Sequence, residues 1–274
     1  MTVVVKIGGA RAVDPEGALA DVASLIAEGE SVVVVHGGST AVDELLERLD
    51  IEPEYVETPG GVVGRFTDAE TMDVFEMAFG KLNVDLVTQL QQLDVNAVGL
   101  SGPDGRVLEG ERKSAIRVLE DGKRKIRRGD HSGTIDAVND DLLSLLLDSG
   151  YTPVVTVPMY AREGTAVNSD ADRAAAAVAG ALGGDLVLLT DVRGVYADPA
   201  DPETRIESVE TPSALSELES VAEGFMSRKV MAAEEALQSG AESVVIADAN
   251  GEEPIHRALS GDGTTIRPSA LDQP

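Results

Sequence analysis

The sequence contains no cysteine and no tryptophan. Disulfides and thiolate–metal sites are therefore excluded, and redox conditions place no constraint on the compartment. Histidine is nearly absent as well. His36, His131 and His256 stand far apart, a spacing that argues against a histidine metal cage. Aromatics are 3% of the chain, too few to interleave with cations as a nucleic-acid surface requires. No run approaches the ~18 apolar residues of a membrane span. The opening "MTVVVKIGGA" reads as a strand and lacks the basic region and longer apolar stretch of a signal peptide. A cytoplasmic setting is expected, with neither membrane nor nucleic acid as partner.

Positive charge is the other scarcity. The chain has 22 Lys and Arg against 49 Asp and Glu, a formal net charge of −27. The acidic residues are dispersed over the whole length. That excess goes beyond what solubility requires and reads as adaptation to concentrated salt, where screening is short-ranged. Against this background, Lys123, Arg124, Lys125, Arg127 and Arg128 crowd into one stretch, "GKRKIRRGDHSGTID".

Hydrophobic residues make up 43% of the 274, enough for a full core. Val-rich runs recur at Val3–Ile7, Ser31–Val35, Ala97–Leu100, Val154–Val157, Leu186–Thr190 and Ser243–Ala247. They are continuous rather than alternating, as in strands buried on both faces of a parallel sheet. Helical patterns alternate with them, several ending in Gly, a C-terminal stop signal. The pattern predicts an α/β fold, a three-layer αβα sandwich with a mainly parallel central sheet. Pro103–Ile135 breaks the alternation with charged, Gly-punctuated sequence and predicts a projecting β-hairpin. The basic cluster lies there. The run Ala174–Ala177 predicts a helix packed close against the sheet.

Four segments carry chemistry. "VVVKIGGA" puts Lys6 near the end of a strand, before Gly8 and Gly9, and "VVVVHGGSTAVDELL" runs from a strand through Gly37 and Gly38 into a helix. Two such turns supply backbone N–H groups and a helix N-terminus, an anion site to which Lys6 adds charge. Each Gly pair alone also fits an ordinary tight turn, and no GxxxxGK[ST] phosphate loop occurs. In "VNSDADRAAAAVAGALGG", Asn168 and Asp170 precede a helix and Asp172 enters its first turn; Asp170 fits the cap. "GFMSRKVMAAEEAL" predicts Lys229 in the first turn of another helix, where a cation is disfavoured unless an anion neutralises it.

Together with "GRFTDAETMDVFEMAFGKLNVDLV", "AVGLSGPDG" and "LLTDVRGVY", these segments resemble, in order, those of the amino acid kinase family, within it the N-acetylglutamate kinase branch. The resemblance runs from Met1 to about Ile266. It implies ATP-dependent phosphorylation of a carboxylate, with a β-hairpin acting as substrate lid. It implies one domain, 1–274, with the amino acid held by about 1–165 and ATP by about 166–274. Lys6 and Lys229 would stabilise charge on the transferring phosphoryl group, oriented by Asp172. Gly8, Gly9, Gly37 and Gly38 would supply backbone contacts, Arg65 and Asn168 would hold the amino acid, and Thr190, Asp191, Gly194 and Tyr196 would bind the nucleotide. Mg²⁺ is expected to ride on the ATP phosphates, with no protein ligand named. A homodimer through the helix near Ala69–Leu93 is also implied.

Two acceptors remain open: free N-acetyl-L-glutamate, or glutamate or 2-aminoadipate linked to a small acidic carrier protein. The hairpin stretch resembles the R-x-x-[DG]-D-[YH]-[ST]-G pattern of the carrier-dependent kinases. Physically, an acidic carrier needs a positive patch to approach a chain of net charge −27. Lys123, Arg124, Lys125, Arg127 and Arg128, helped by Arg112, Lys113 and Arg117, offer one. A hairpin paired with the chain's own carboxylates is the plainer alternative. A non-catalytic binding protein on the same fold is a third reading.

Overall fold

The computed structural model describes residues 1–8, 15–59, 61, 63–120 and 122–271. Strand β1 (Thr2–Ile7) is followed by helix α1 (Pro15–Ala27), β2 (Ser31–His36) and α2 (Ser39–Arg48). A small ribbon of β3 (Tyr55–Glu57) and β4 (Val63–Arg65) precedes the long α3 (Ala69–Gln92), which leads to β5 (Ala97–Ser101). The hairpin β6 (Leu108–Glu120) and β7 (Lys123–Val138) comes next, then α4 (Asp140–Asp148), β8 (Thr152–Thr156), β9 (Met159–Ala161) and β10 (Thr165–Val167). The remainder runs α5 (Ala171–Leu182), β11 (Asp185–Thr190), β12 (Ser208–Val209), α6 (Pro212–Val221), α7 (Gly224–Gln238), β13 (Ser243–Asp248), α8 (Pro254–Leu259) and β14 (Thr264–Ile266).

Eight strands form the central sheet in the order β12-β14-β13-β11-β1-β2-β8-β5. Every pairing is parallel except β13 with β14. All six Val-rich runs become strands of this sheet. The run at Val154–Val157 is displaced: its strand starts at Thr152 and ends at Thr156, because Val157 precedes a proline and leaves the ladder. Successive side chains of a strand point to opposite faces, so each central strand feeds two cores. Val4, Val33, Val35, Leu186 and Leu188 join one core, with α2, the first half of α3, α5 and α7. Val3, Val5, Val32, Val34, Val187 and Leu189 join the other, under α1, α8 and Leu86 and Leu90 of α3. The helix α3 thus reaches both faces around the β8–β5 edge. The Ala run behaves as expected: Ala174, Ala175 and Ala176 are buried in α5, which packs on β1, β2 and β11.

The predicted hairpin is present as part of a second sheet, β10-β9-β6-β7. Its two long strands pair antiparallel from Leu108–Val138 to Glu120–Lys123, with register shifts at Glu109/Gly110 and on both sides of Ser114. Ser114 itself takes a positive φ of 50°, a conformation that costs a non-glycine residue energy. The base is tied into the body: Gly133 N donates to Asn168 O (2.8 Å), Asn168 N to His131 O (2.7 Å), and His131 N to Thr67 O (2.6 Å). Among the described residues, no helix is long and apolar enough to cross a membrane.

Candidate active site

The parallel strands β1, β2 and β11 end at one edge of the sheet, and residues at their C-terminal ends border a cavity of about 1100 Å³. Such crevices at strand C-termini are where open α/β sheets hold ligands. Lys6, Gly8, Gly37, Gly38, Arg65, Asn168, Asp172, Thr190, Asp191 and Lys229 all line it. Gly9 lies outside the described residues. Gly194 and Tyr196 do not reach the cavity wall. Their loop curls instead onto β14, where Val195 N donates to Thr264 Oγ1 (2.8 Å) and Tyr196 bridges to Arg205.

Two buried lysines share one carboxylate. Lys6, on the central strand, places Nζ 2.8 Å from Asp172 Oδ1, and Lys229 Nζ donates to Asp172 Oδ2 at 3.0 Å. Each ammonium thus takes one oxygen of the carboxylate, both at charge-assisted hydrogen-bond distance. Lys6 is 7% exposed, and Asp172 and Lys229 are each 9% exposed. Burial works to raise the Asp172 carboxyl, but the charges of Lys6 and Lys229 outweigh it and hold the group below the ordinary carboxylate range. Burial and the nearby Lys6 charge push the Lys229 ammonium down, against the pull of Asp172.

Each member is fixed by its own element. Asp170 caps α5, its Oδ1 accepting from Asp172 N (2.9 Å) and Arg173 N (3.2 Å), which sets Asp172 in the first turn as the sequence predicts. Lys229 departs from expectation. Helix α7 begins at Gly224, so Lys229 stands in its second turn, and its neutralising anion is Asp172. The early start left no sequence signal, because the Glu223 side chain makes no cap bond. The Gly37–Gly38 turn is packed so closely that a Cβ on Gly38 would stand 2.4 Å from Leu82 Cδ1.

His36 and Asn83 stand behind that turn. His36 Nδ1 donates to Gly37 O (3.0 Å), which leaves Nε2 to accept from Asn83 Nδ2 (3.1 Å). Burial, aided by the Lys6 charge and resisted by the Gly37 bond, pushes the imidazole down to about 4. On another wall, Arg65 pairs with Asp43 and packs over Tyr55 and Phe75, while its buried Nε has no partner. Ser169 Oγ, also on the cavity, is buried without a partner. Both are unspent polar groups facing a space for a ligand. The sequence did not single out Ser169, Asn83 or His36; the neighbour Asn168 was the only local pointer to Ser169. Among the described residues, no group of three or more acidic or histidine side chains could hold a metal ion.

The five clustered cations lie along β7 and do not line the cavity. Lys125 pairs with Glu120 (2.7 Å), and Arg127 pairs with Glu54 (2.7 Å) and stacks on Phe66. The plainer alternative of internal pairing therefore holds for these two. Lys123, Arg124 and Arg128 are exposed and make no ion pair among the described residues. Of the helpers, Arg112 is engaged with Glu163, while Lys113 faces the cavity.

Comparison with known proteins identifies the family. The [LysW]-aminoadipate kinase of Thermus thermophilus is 44% identical over 272 residues, covering 97% of this chain and all of that protein. The acetylglutamate kinase of Methanopyrus kandleri is 40% identical over 268 residues, 96% and 99% of the two chains. Among solved structures, N-acetylglutamate synthase from Neisseria gonorrhoeae, complexed with coenzyme A and N-acetyl-glutamate, superposes with a TM-score of 0.77 at 23% identity. That match covers 97% of this chain and 59% of the larger protein, and at such identity it speaks for the fold alone. Residues 1–248 match the amino acid kinase family. With the fold, the ordered motifs and near full-length relatives in agreement, this chain belongs to the amino acid kinase family.

Proposed function

We propose that this chain transfers the γ-phosphoryl group of ATP to the side-chain carboxylate of 2-aminoadipate or glutamate whose amino group is linked to a small acidic carrier protein. The product is an acyl phosphate. The observation that carries the reading is the buried Lys6–Asp172–Lys229 group at the cavity floor. The 44% identity to a [LysW]-aminoadipate kinase and the unpaired cations of the hairpin favour the carrier-linked acceptor over the free acid.

The chemistry asks little covalent help from the protein. The acceptor carboxylate is ionised at neutral pH, so no general base is needed. Its oxygen attacks the γ-phosphorus, the bond to the β–γ bridging oxygen breaks, and ADP leaves with that electron pair. Lys6 and Lys229 neutralise charge on the equatorial and leaving oxygens, and Asp172 holds both ammonium groups in place beforehand. Gly8, Gly37 and Gly38 border the cavity and would offer backbone N–H groups to the phosphates, and Gly9 is assigned with them on sequence alone. Arg65, with its free Nε, and Asn168 hold the amino acid; Thr190 and Asp191 face the nucleotide. Mg²⁺ would be carried by phosphate oxygens and would offset their charge.

The test offers ATP with carrier-linked 2-aminoadipate, carrier-linked glutamate and free N-acetylglutamate in parallel, at high KCl. Efficient turnover of a carrier-linked substrate is expected, and turnover of the free acid alone would sink the reading.

A further inference from the structure

We propose that the cavity mouth is a two-part docking surface for an acidic carrier protein, in which Phe225 and Arg228 at the start of α7 complement the basic hairpin. This rests on the carrier-linked reading above and adds where the carrier's own surface is gripped.

Phe225 is 81% exposed, the most exposed large apolar side chain among the described residues, in a chain with four phenylalanines. A lone exposed apolar residue needs no explanation. Phe225, however, shares one cavity rim with Tyr55 and Val63, both also more than half exposed. Arg228 joins these pieces. Its guanidinium lies 5.7 Å from the Phe225 ring centroid, and its Nη2 donates to Val63 O at 3.2 Å. The ring is thereby braced on the β4 side of the mouth. Arg228 has no carboxylate partner among the described residues, and neither has Lys113, which enters the same rim from β6 beside Ile116.

The rim therefore combines unpaired cations with exposed aromatic and aliphatic surface, on a molecule whose net charge is −27. Aromatic and arginine side chains are the types that dominate interface energetics, and charge sets which partner approaches. A second copy of this chain would bring −27 to the encounter over its whole surface. A small acidic carrier delivering a tethered carboxylate toward Lys6 and Lys229 must press against this rim, and its charge complements it.

The experiment measures steady-state kinetics of wild type, Phe225→Ser and Phe225→Tyr with carrier-linked 2-aminoadipate, together with equilibrium binding of the unloaded carrier and sedimentation of each enzyme. For Phe225→Ser, KM for the carrier substrate and Kd for the carrier should rise about thirtyfold, the scale of an ordinary interface hot spot. Phe225→Tyr should recover most of that loss, with kcat, KM for ATP and the sedimentation coefficient unchanged. A rise in KM for ATP would mean that Phe225 stacks on the nucleotide, and a change in sedimentation would mean that a second copy covers it; either overturns the proposal. Unchanged carrier binding in Phe225→Ser also overturns it while leaving the proposed function intact. A wild type inert toward carrier-linked substrate but active on free N-acetylglutamate would instead overturn the proposed function itself.

Discussion

Asn83, in the middle of α3, places its side-chain nitrogen 3.1 Å from His36 Nε2, joining helix and strand across 47 residues of chain. The same nitrogen lies 2.9 Å from Val154 O on the adjacent strand. The imidazole behind the Gly37–Gly38 turn is therefore held neutral and in one tautomer.

That neutrality has a pH signature. The folded value of about 4 lies below the ordinary 6.5, so the unfolded chain binds the extra proton first as pH falls. The His36 contribution to stability is complete above about pH 6.5 and is lost as pH drops toward 4, by about 3 kcal/mol in all. Urea unfolding between pH 7.5 and 4.5 should show that loss, and His36→Asn should flatten the slope while lowering stability at pH 7.5. An equal slope in the variant would assign the effect elsewhere.

Removing either ammonium from the cavity floor should cost catalysis more than binding. Lys229→Ala and Lys6→Ala are each expected to lower kcat by about 10²–10³-fold, the scale of losing one preorganised donor. KM for ATP should change far less. Retention of wild-type kcat in Lys229→Ala would discard the mechanism.

Asp172→Asn leaves two buried ammonium groups facing one another without their shared anion. Breaking such a buried set is strongly destabilising, by about 3–5 kcal/mol. The melting temperature should fall, and part of the loss should be restored by pairing Asp172→Asn with Lys229→Met, which removes one of the orphaned charges. No recovery in the double variant would show that the cost does not come from the orphaned ammonium groups.

The hairpin cations divide by their partners. Replacing Lys123, Arg124 and Arg128 by Ser removes charge without breaking an ion pair among the described residues, whereas Arg127→Ser also breaks the link to Glu54. The triple variant should raise KM for a carrier-linked substrate at low salt, leave KM for ATP unchanged, and lose its defect near 1 M KCl, where charges more than about 3 Å apart are screened. A defect that persists at high salt would point to shape rather than charge.

Net self-repulsion predicts a further salt effect. At −27, raising KCl should raise the unfolding midpoint of the wild-type protein. A flat response would remove the ground for reading the composition as an adaptation to salt.

What the sequence disclosed, and what it hid, follows from locality. Lys6, Gly37, Gly38 and Asp172 are written into strand–turn–helix segments, so the same few residues specify both the turn and the side chain it presents. Asn83 carries no such mark. It sits in an amphipathic helix like any polar residue and acquires its partner only because α3 packs against β8. Lys229 was legible as a residue but misplaced by a turn, since α7 opens without a side-chain cap. Of the four residues assigned to the nucleotide, Thr190 and Asp191 line the cavity, while Val195, between the other two, bonds to Thr264 of β14, 69 residues away. The hairpin was legible as a break in alternation, but which cations stay unpaired depends on Glu54 and Glu120, which only the fold brings near.

The irregular ladder around Ser114 divides the hairpin into a base and an outer length. An antiparallel ribbon resists bending because each strand's hydrogen bonds fall in register with the next, and here that register slips on both sides of one residue. The base is sewn to Asn168 and Thr67, and beyond the slip Arg127 ties the ribbon to the body a second time, through Glu54 and the Phe66 ring. A bulge re-aims the strand beyond it, so the slip at Ser114 sets the direction in which Lys123 and Arg124 project, while the bonds at the base independently fix where Asn168 stands.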